Sequence, residues 1–316
     1  MPLMLIVIPG ALPDLPVAGE LARHLPQRAP VLHAWLQAAR AETTGFDLRA
    51  KGCTPFEAWQ LQRAGFTPAP GQSTGAGLGP LRDPGAPAGE PVWLAELVHL
   101  ALGTDQATLL PPDQLDLRPE EGQALYQLAA PLIAEHGFGV EVVDPARWRL
   151  RLPDGLAPRS ASPAAVAGQR LDAWWQHDAA TRPWRRLLNE IQMAWHEQPV
   201  NEARAARGVA PVNGLWLYGG ALPWSPAAAS PAHVLDGLHT PQREGDWGCW
   251  LDALARLDAE HLAPLADARH APRQPVELLL LGADRRARLT LKPRTGLAKW
   301  LPAPKHNWNA WWSHPV

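Results

Sequence analysis

Cysteine is close to absent from this chain. Cys53 and Cys249 are the only two in 316 residues, far apart and outside any CxxC or Cys/His spacing, so no zinc site is written into the sequence. A disulfide between them stays open on spacing alone, but a reducing cytosol would leave two inert thiols. Strong charge of either sign is missing as well. The formal net charge is −2, which gives no global positive field to gather nucleic acid or an anionic membrane surface. Long apolar runs are also missing. A membrane-spanning helix needs roughly 18 consecutive apolar residues, and every candidate stretch here is broken by charge or proline. The opening run Leu3 to Ile8 lacks a basic leader and ends at Pro9-Gly10, which reads as a buried first strand and not as a secretion signal. A cytoplasmic location is the resulting expectation. No GxGxxG follows that strand, and Gly71 to Gly79 lacks the GK[ST] ending of a phosphate loop, so no nucleotide cofactor is implied.

What is present is enough apolar matter, 46% of residues against 19% charged, for one large core or two smaller ones. The 35 prolines and 26 glycines collect in particular stretches and leave periodic segments intact between them. These segments predict a mixed α/β fold, a sheet with flanking helices joined by Pro/Gly-rich loops. Residues 1–66 read as an N-terminal α/β segment: the first strand, helices at Val17 to Leu25 and Val31 to Arg40, and a third at Thr54 to Ala64. Thr54, Pro55 and Glu57 give that third helix a capping box with proline at its first position. Residues 67–91 read as a flexible loop. Residues 92–225 form a central unit with a local β-β-α-β-β order: strands at Trp93 to Leu100 and Ala107 to Leu110, a helix at Pro119 to His136 closed by Gly137, and strands at Gly139 to Val143 and Trp148 to Leu152. Residues 226–316 supply a helix at Trp247 to Ala268, strands at Val276 to Leu281 and Ala287 to Leu291, and a tail with Trp308, Trp311 and Trp312. The whole packs as one or two domains.

The segment Trp184 to Trp224 carries the chemistry. Trp184, Leu187, Leu188, Ile191 and Trp195 recur at helical spacing and define a buried stripe. Arg185, Asn189, Gln192 and His196 form a second stripe built only of hydrogen-bonding side chains, which suits a polar ligand. Pro199 ends this helix, and Asn201 can cap a short next one that presents Arg204 and Arg207 before Gly208, arginines fit to meet a carboxylate or phosphate. Asn213 then leads into the strand Leu215 to Tyr218, and Gly219-Gly220 lets the backbone pass close to whatever sits at the strand end. Asn189, Gln192, His196, Asn201, Arg204 and Asn213 are therefore the candidate substrate-binding set. The plainer reading is a solvated helix face, with Asn201 as a cap. Sixteen tryptophans against four phenylalanines could serve base stacking, but their leucine-like spacing favours core bulk, and the acidic balance argues against nucleic acid. The tail tryptophans are read as docking onto the body. His99, in an apolar strand, reads as a hydrogen-bonded core residue.

The string from Leu187 to Gly220, LLNEIQMAWHEQPVNEARAARGVAPVNGLWLYGG, resembles the signature of the bacterial RpfE-type regulatory protein family, often labelled cofactor-independent phosphoglycerate mutase. Val98-His99-Leu100 and Arg147-Trp148-Arg149-Leu150 resemble strands of that family. Within the string, Asn201, Arg204, Gly208 and Asn213 are similar to a segment of archaeal-type phosphoglycerate mutases. The resemblance implies a small phosphorylated or carboxylated metabolite and, for a true mutase, two divalent metals (Mn or Mg) and a phosphorylatable Ser or Thr. The Asp-Gly ligand expected after the first strand is not matched, since the first acid is Asp14. Asp258 with His261 and Asp267 with His270 are the remaining candidates, and Ser73 and Thr74 lie in no matching nucleophile context. Two functions follow: a mutase-like phosphotransfer enzyme, or a non-catalytic regulatory protein that binds a small anionic metabolite and acts through a protein partner.

Overall fold

The computed structural model describes residues 3–103, 107–159, 161–174, 178–228, 230–294 and 305–313. The chain divides into two compact units, residues 1–47 with 229–316, and residues 48–228. The first opens with β1 (Met4–Leu12), α1 (Leu15–Arg28), α2 (Pro30–Ala38) and β2 (Ala41–Gly45). β1 is buried almost throughout, as expected of a continuous apolar run in a covered parallel sheet. It runs past Pro9-Gly10, where the expected strand ended, by shifting register between Pro9 and Leu12.

The second unit contains α3 (Leu48–Lys51), α4 (Pro55–Arg63), α5 (Leu78–Arg82), β3 (Val92–Val98), β4 (Leu100–Leu102), β5 (Ala107–Leu109), α6 (Pro119–Glu135), β6 (Gly139–Asp144), β7 (Arg147–Arg151), α7 (Pro163–Val166), α8 (Arg182–Trp195), α9 (Pro199–Ala206) and β8 (Gly214–Ala221). The expected capping box forms at α4: Glu57 N–H donates to Thr54 Oγ1 at 3.2 Å, and Thr54 N–H donates to Glu57 Oε2 at 2.8 Å. The sheet runs β6-β7-β3-β8, while β4 and β5 pair apart as a ribbon. The β-β-α-β-β order is thus present in the chain, but its first strands are divided between two sheets. α6 and α8 cover the larger sheet, with Leu125, Ile133, Trp148, Leu187, Ile191 and Trp195 in one apolar cluster.

The stretch expected as a flexible loop contains helical structure at residues 74–82. Residues 74–77 form a 3-10 turn that continues into α5, and Gly75, Gly77 and Gly79 are buried. A Cβ on Gly79 would stand 2.0 Å from Val92 O. The glycines are there because backbone packs on backbone, which composition alone cannot distinguish from a linker.

The first unit resumes with β9 (Ala232–Val234), α10 (His239–Glu244), α11 (Trp247–Leu257), β10 (Val276–Gly282), β11 (Arg285–Leu291) and α12 (Asn309–Trp312). Its sheet order is β2-β11-β10-β1-β9, with β1 parallel to β10 and β9. The helix expected to reach Ala268 leaves α geometry after Leu257, through a π turn at Asp258–Leu262 and a 3-10 turn at Ala263–Leu265. Trp308 and Trp312 are buried in this unit's core with Trp35 and Trp250. Trp250 and Trp312 lie 6.4 Å apart, and Arg285 Nη2 donates to Trp312 O at 3.0 Å, fixing the tail end. Among the described residues no helix is long and apolar enough to cross a membrane.

Candidate functional site

α8 buries Trp184, Leu187, Leu188, Ile191 and Trp195, the stripe that spacing selects. Its other stripe converges only in part. Arg185 is half-buried near the helix start, Asn189 is exposed, Gln192 is half-buried, and His196, past the last turn, has a side chain 75% exposed. Asn189 lines an open groove with Arg182, Arg185, Arg186, Glu190 and Met193, so two members of the stripe, Arg185 and Asn189, share it.

The other three candidates satisfy the chain itself. Asn201 lies inside α9, and the helix is preceded by Gln198 in the capping position. Asn201 Nδ2 donates to Trp195 O at 3.0 Å and Val212 O at 2.9 Å, and its Oδ1 accepts from Val212 N–H at 2.9 Å. Asn213 pairs both ways with Leu100, accepting from its N–H at 2.7 Å and donating to its O at 3.0 Å. Arg204 is wholly buried. It donates to Ala210 O at 2.9 Å, to Leu115 O and to the Glu121 carboxylate. Arg207 holds the other oxygen of Glu121 at 2.7 Å. These side chains fasten α9 to the start of α6 and to the strand entry, where buried backbone carbonyls need donors. Gly219 and Gly220 turn closely around Val92 and Trp93: a Cβ on Gly220 would lie 2.5 Å from the Trp93 ring. His99 Nδ1 is 2.8 Å from Pro211 O, so the expected hydrogen bond forms, but the side chain is only half-buried and does not sit in the core.

A cavity does form at the opposite end of α8. It lies between that helix start and β8, the open edge of its sheet. Trp174, Trp184 and Trp216 line it with Leu215 and Leu217, and it is small, about 50 Å³. Arg159, Arg185 and Thr181 supply its polar wall. Trp216 Nε1 donates to Ala161 O at 2.8 Å and Trp174 Nε1 to Gln169 Oε1 at 3.3 Å. Arg185 Nη2 donates to Asp178 O at 2.9 Å, tying the guanidinium to the turn ahead of the helix. Spacing placed Trp184 in the core and Arg185 on the polar stripe. Their meeting with Trp174 and Trp216 depends on a chain reversal that no local pattern announces.

A second polar cluster, also missed from sequence, sits inside the same unit. Glu57 accepts from Arg82 Nη2 at 2.5 Å and from Ser162 Oγ at 2.6 Å. Tyr218 Oη donates to Glu96 Oε2 at 2.9 Å, and Arg82 Nη1 lies 3.7 Å from the same oxygen. The Arg82 guanidinium also stacks 5.1 Å from the Tyr218 ring. Burial pushes the Glu96 carboxyl above its ordinary range, against the pull of Arg82 and the Tyr218 hydroxyl. Burial, then Glu96, raises the Tyr218 phenol. Burial, then Glu57, raises the Cys53 thiol, which is thereby kept from acting as a thiolate. These groups answer one another and link α4, α5, α7, β3 and β8.

Among the described residues, the candidate acids are engaged within the chain and do not gather as a two-metal centre. Asp14 accepts from Gln242 Nε2 at 3.1 Å. Asp258 accepts the N–H groups of Val31 at 3.2 Å and Leu32 at 2.7 Å, at the start of α2. Asp267 accepts from Arg269 and Ala271 N–H, each at 2.9 Å. Among the described residues no three His, Cys, Asp or Glu side chains gather as a metal-binding group.

No protein-family model matches the chain, and no curated protein does. Among solved structures it is similar to a cofactor-independent phosphoglycerate mutase from Thermoplasma acidophilum, with 13% identity, a TM-score of 0.34, and coverage of 92% of this chain and 90% of that one. It is also similar to the PH0037 protein from Pyrococcus horikoshii, with 10% identity, a TM-score of 0.33, and coverage of 92% and 87%. Likeness at this level identifies neither a family nor an activity. The class that the coordinates define is a mixed α/β protein of two units.

Proposed function

We propose that the chain is a binding protein for a small phosphorylated or carboxylated metabolite, acting through occupancy and a protein partner and not through turnover. The observation that carries this reading is the small cavity lined by Trp174, Trp184 and Trp216 with Arg159 and Arg185 on its polar side. A concave, mostly apolar site with a few convergent polar groups is the usual form of a small-molecule site, and guanidinium forks match carboxylate and phosphate oxygens. The phosphotransfer alternative requires a donor set for two metals, which Asp14, Asp258 and Asp267 do not supply while they hold backbone and side-chain donors.

Thermal unfolding with and without phosphoglycerates, simple carboxylates and manganese tests the reading, because a ligand selective for the native state raises its stability. The expected outcome is an upward shift with an anion alone, lost in Arg159→Ala and Arg185→Ala. No shift with any anion would remove the reading. Manganese-dependent interconversion of phosphoglycerates would replace it with phosphotransfer.

A further inference from the structure

We infer that β6 pairs antiparallel with β6 of a second copy of this chain, joining the two sheets across a two-fold axis at Val140. β6 is the outer strand of the order β6-β7-β3-β8. Among the described residues its backbone makes no hydrogen bond to other backbone outside the pairing with β7. An edge of unpaired N–H and C=O groups is a template for another strand. The usual guards against such pairing are missing here. No Pro or Lys lies in Gly139–Asp144, and the register shift that bends the strand falls only between Val142 and Asp144, which leaves Gly139 to Val142 regular. Val142 is 47% exposed on this strand. The opposite edge of the sheet, β8, is buried over nearly its whole length.

Charge sets both the occupant and the register. Residues directly opposite in an antiparallel pair point to the same face. On β6, Val140 packs against the apolar cluster, while Glu141 lies on the other face with Arg149. Arg149 is shared with Asp83 at 2.5 Å, and the Glu141 side chain stays 69% exposed. Arg151, also exposed, lies across Gly139: a Cβ on that glycine would stand 3.3 Å from Arg151 Nε and 3.4 Å from Nη2. With Val140 on the axis, Glu141 of each copy stands opposite Gly139 of the other, and so beside the other copy's Arg151. The two-fold makes this pairing twice, and Val140 meets Val140 on the apolar face. An axis at Glu141 would set two carboxylates directly opposite, which is unfavourable. An axis at Val142 would oppose Glu141 to Val143 and bring no arginine to it. The edge is thus complementary to itself in one register. A single strand pair buries less than the roughly 1,200–2,000 Å² of a stable interface, so the dimer is weak and dissociates on dilution.

Sedimentation velocity of the full chain over a dilution series, read with charge-reversal variants, tests this. Glu141→Arg and Arg151→Glu are each expected to weaken dimerisation at least about tenfold, because the two-fold axis counts every change twice. The double variant Glu141→Arg/Arg151→Glu should restore it. Both residues are exposed, and circular dichroism checks that the variants keep the fold. Val140→Cys, in a Cys249→Ser background that leaves only the buried Cys53, should form a disulfide between copies on oxidation, since directly opposite strand residues lie within disulfide reach; Val142→Cys should not. A monomer at every concentration overturns the inference. So does a dimer that ignores the charge reversals, or one that the double variant fails to restore. A disulfide through Val142→Cys in place of Val140→Cys would move the axis away from the Glu141–Arg151 register and overturn it too. No metabolite takes part in this pairing, so the binding reading above stands or falls separately.

Discussion

Arg204 separates a structural arginine from a ligand-binding one. It has no exposed surface and its donors meet Ala210 O, Leu115 O and Glu121. Arg204→Ala would leave the buried Leu115 O short of a donor and Glu121 with Arg207 as its remaining cationic partner, so the cost is that of unsatisfied buried hydrogen-bonding groups, about 1–3 kcal/mol. Urea unfolding is expected to show a loss of that order, with ligand affinity per folded molecule unchanged; a stable variant with lost affinity would return Arg204 to the binding site. Glu96 gives a prediction in pH. Its carboxyl is raised in the folded state, by burial first, with Arg82 and Tyr218 opposing. The folded chain therefore keeps a proton that the unfolded chain releases, and stability from this group is greatest below the ordinary Glu value and falls as pH rises through the folded value. Glu96→Gln should remove that downward slope above about pH 4.5, whatever it does to absolute stability. Parallel profiles for the two proteins would mean that Glu96 ionises normally.

At the scale of elements, the informative case is the glycine-rich segment leading into α5. Gly79 stands where a Cβ would meet Val92 O at 2.0 Å and the Gly219 Cα at 3.4 Å, both backbone. Neither neighbour can swing aside as a side-chain tip would, so Gly79→Ala must displace α5 from the sheet. A destabilisation of about 1–3 kcal/mol, the usual range for overpacking, is expected as a lowered Tm; Gly71→Ala, where the Cβ meets open space but φ is +78°, tests backbone strain without the clash. Equal effects at both positions would show that contact with Val92 is not what selects glycine. Here lies the limit of reading elements from sequence. The Trp184 helix, the Thr54 capping box and the strand at Leu215 were legible because their signals are local: a 3.6-residue period, a three-residue cap, an apolar run. The buried glycines, the Glu57–Arg82 pair and the two jobs of Asn201 were not, since each depends on which backbone arrives from elsewhere. Arg185, Asn189 and Gln192 of the polar stripe do share a helix, but His196 lies beyond its end in extended backbone, and the period says nothing about what lies opposite: Arg185 stands in the pocket wall while His196 faces solvent.

At the scale of the whole molecule, the chain order decides which part can fold alone. β1 lies inside its sheet, flanked by β10 and β9, so the N-terminal segment cannot complete its pairing until the last third of the chain is present. Such non-local pairing is slow to form, because a long loop must close before the contacts repay it. Residues 48–228 have no such dependence within their sheets, which draw every strand from that interval. Their apolar cluster runs from Trp93 to Leu217, and their two ends are tied to the same unit: Ser162 N–H donates to Gly52 O at 2.9 Å, and Ala227 N–H donates to Ala64 O at 2.9 Å. An excised chain of residues 48–228 is therefore expected to unfold cooperatively, with dispersed amide resonances, and to keep the Trp–Arg pocket, whose described lining lies wholly within it. Residues 1–47 and 229–316 expressed apart should each be unfolded and should recover strand content only when mixed. A non-cooperative 48–228 fragment would mean that its core is incomplete without the rest of the chain, and the division into separately folding units would then fail even though the sheets are separate.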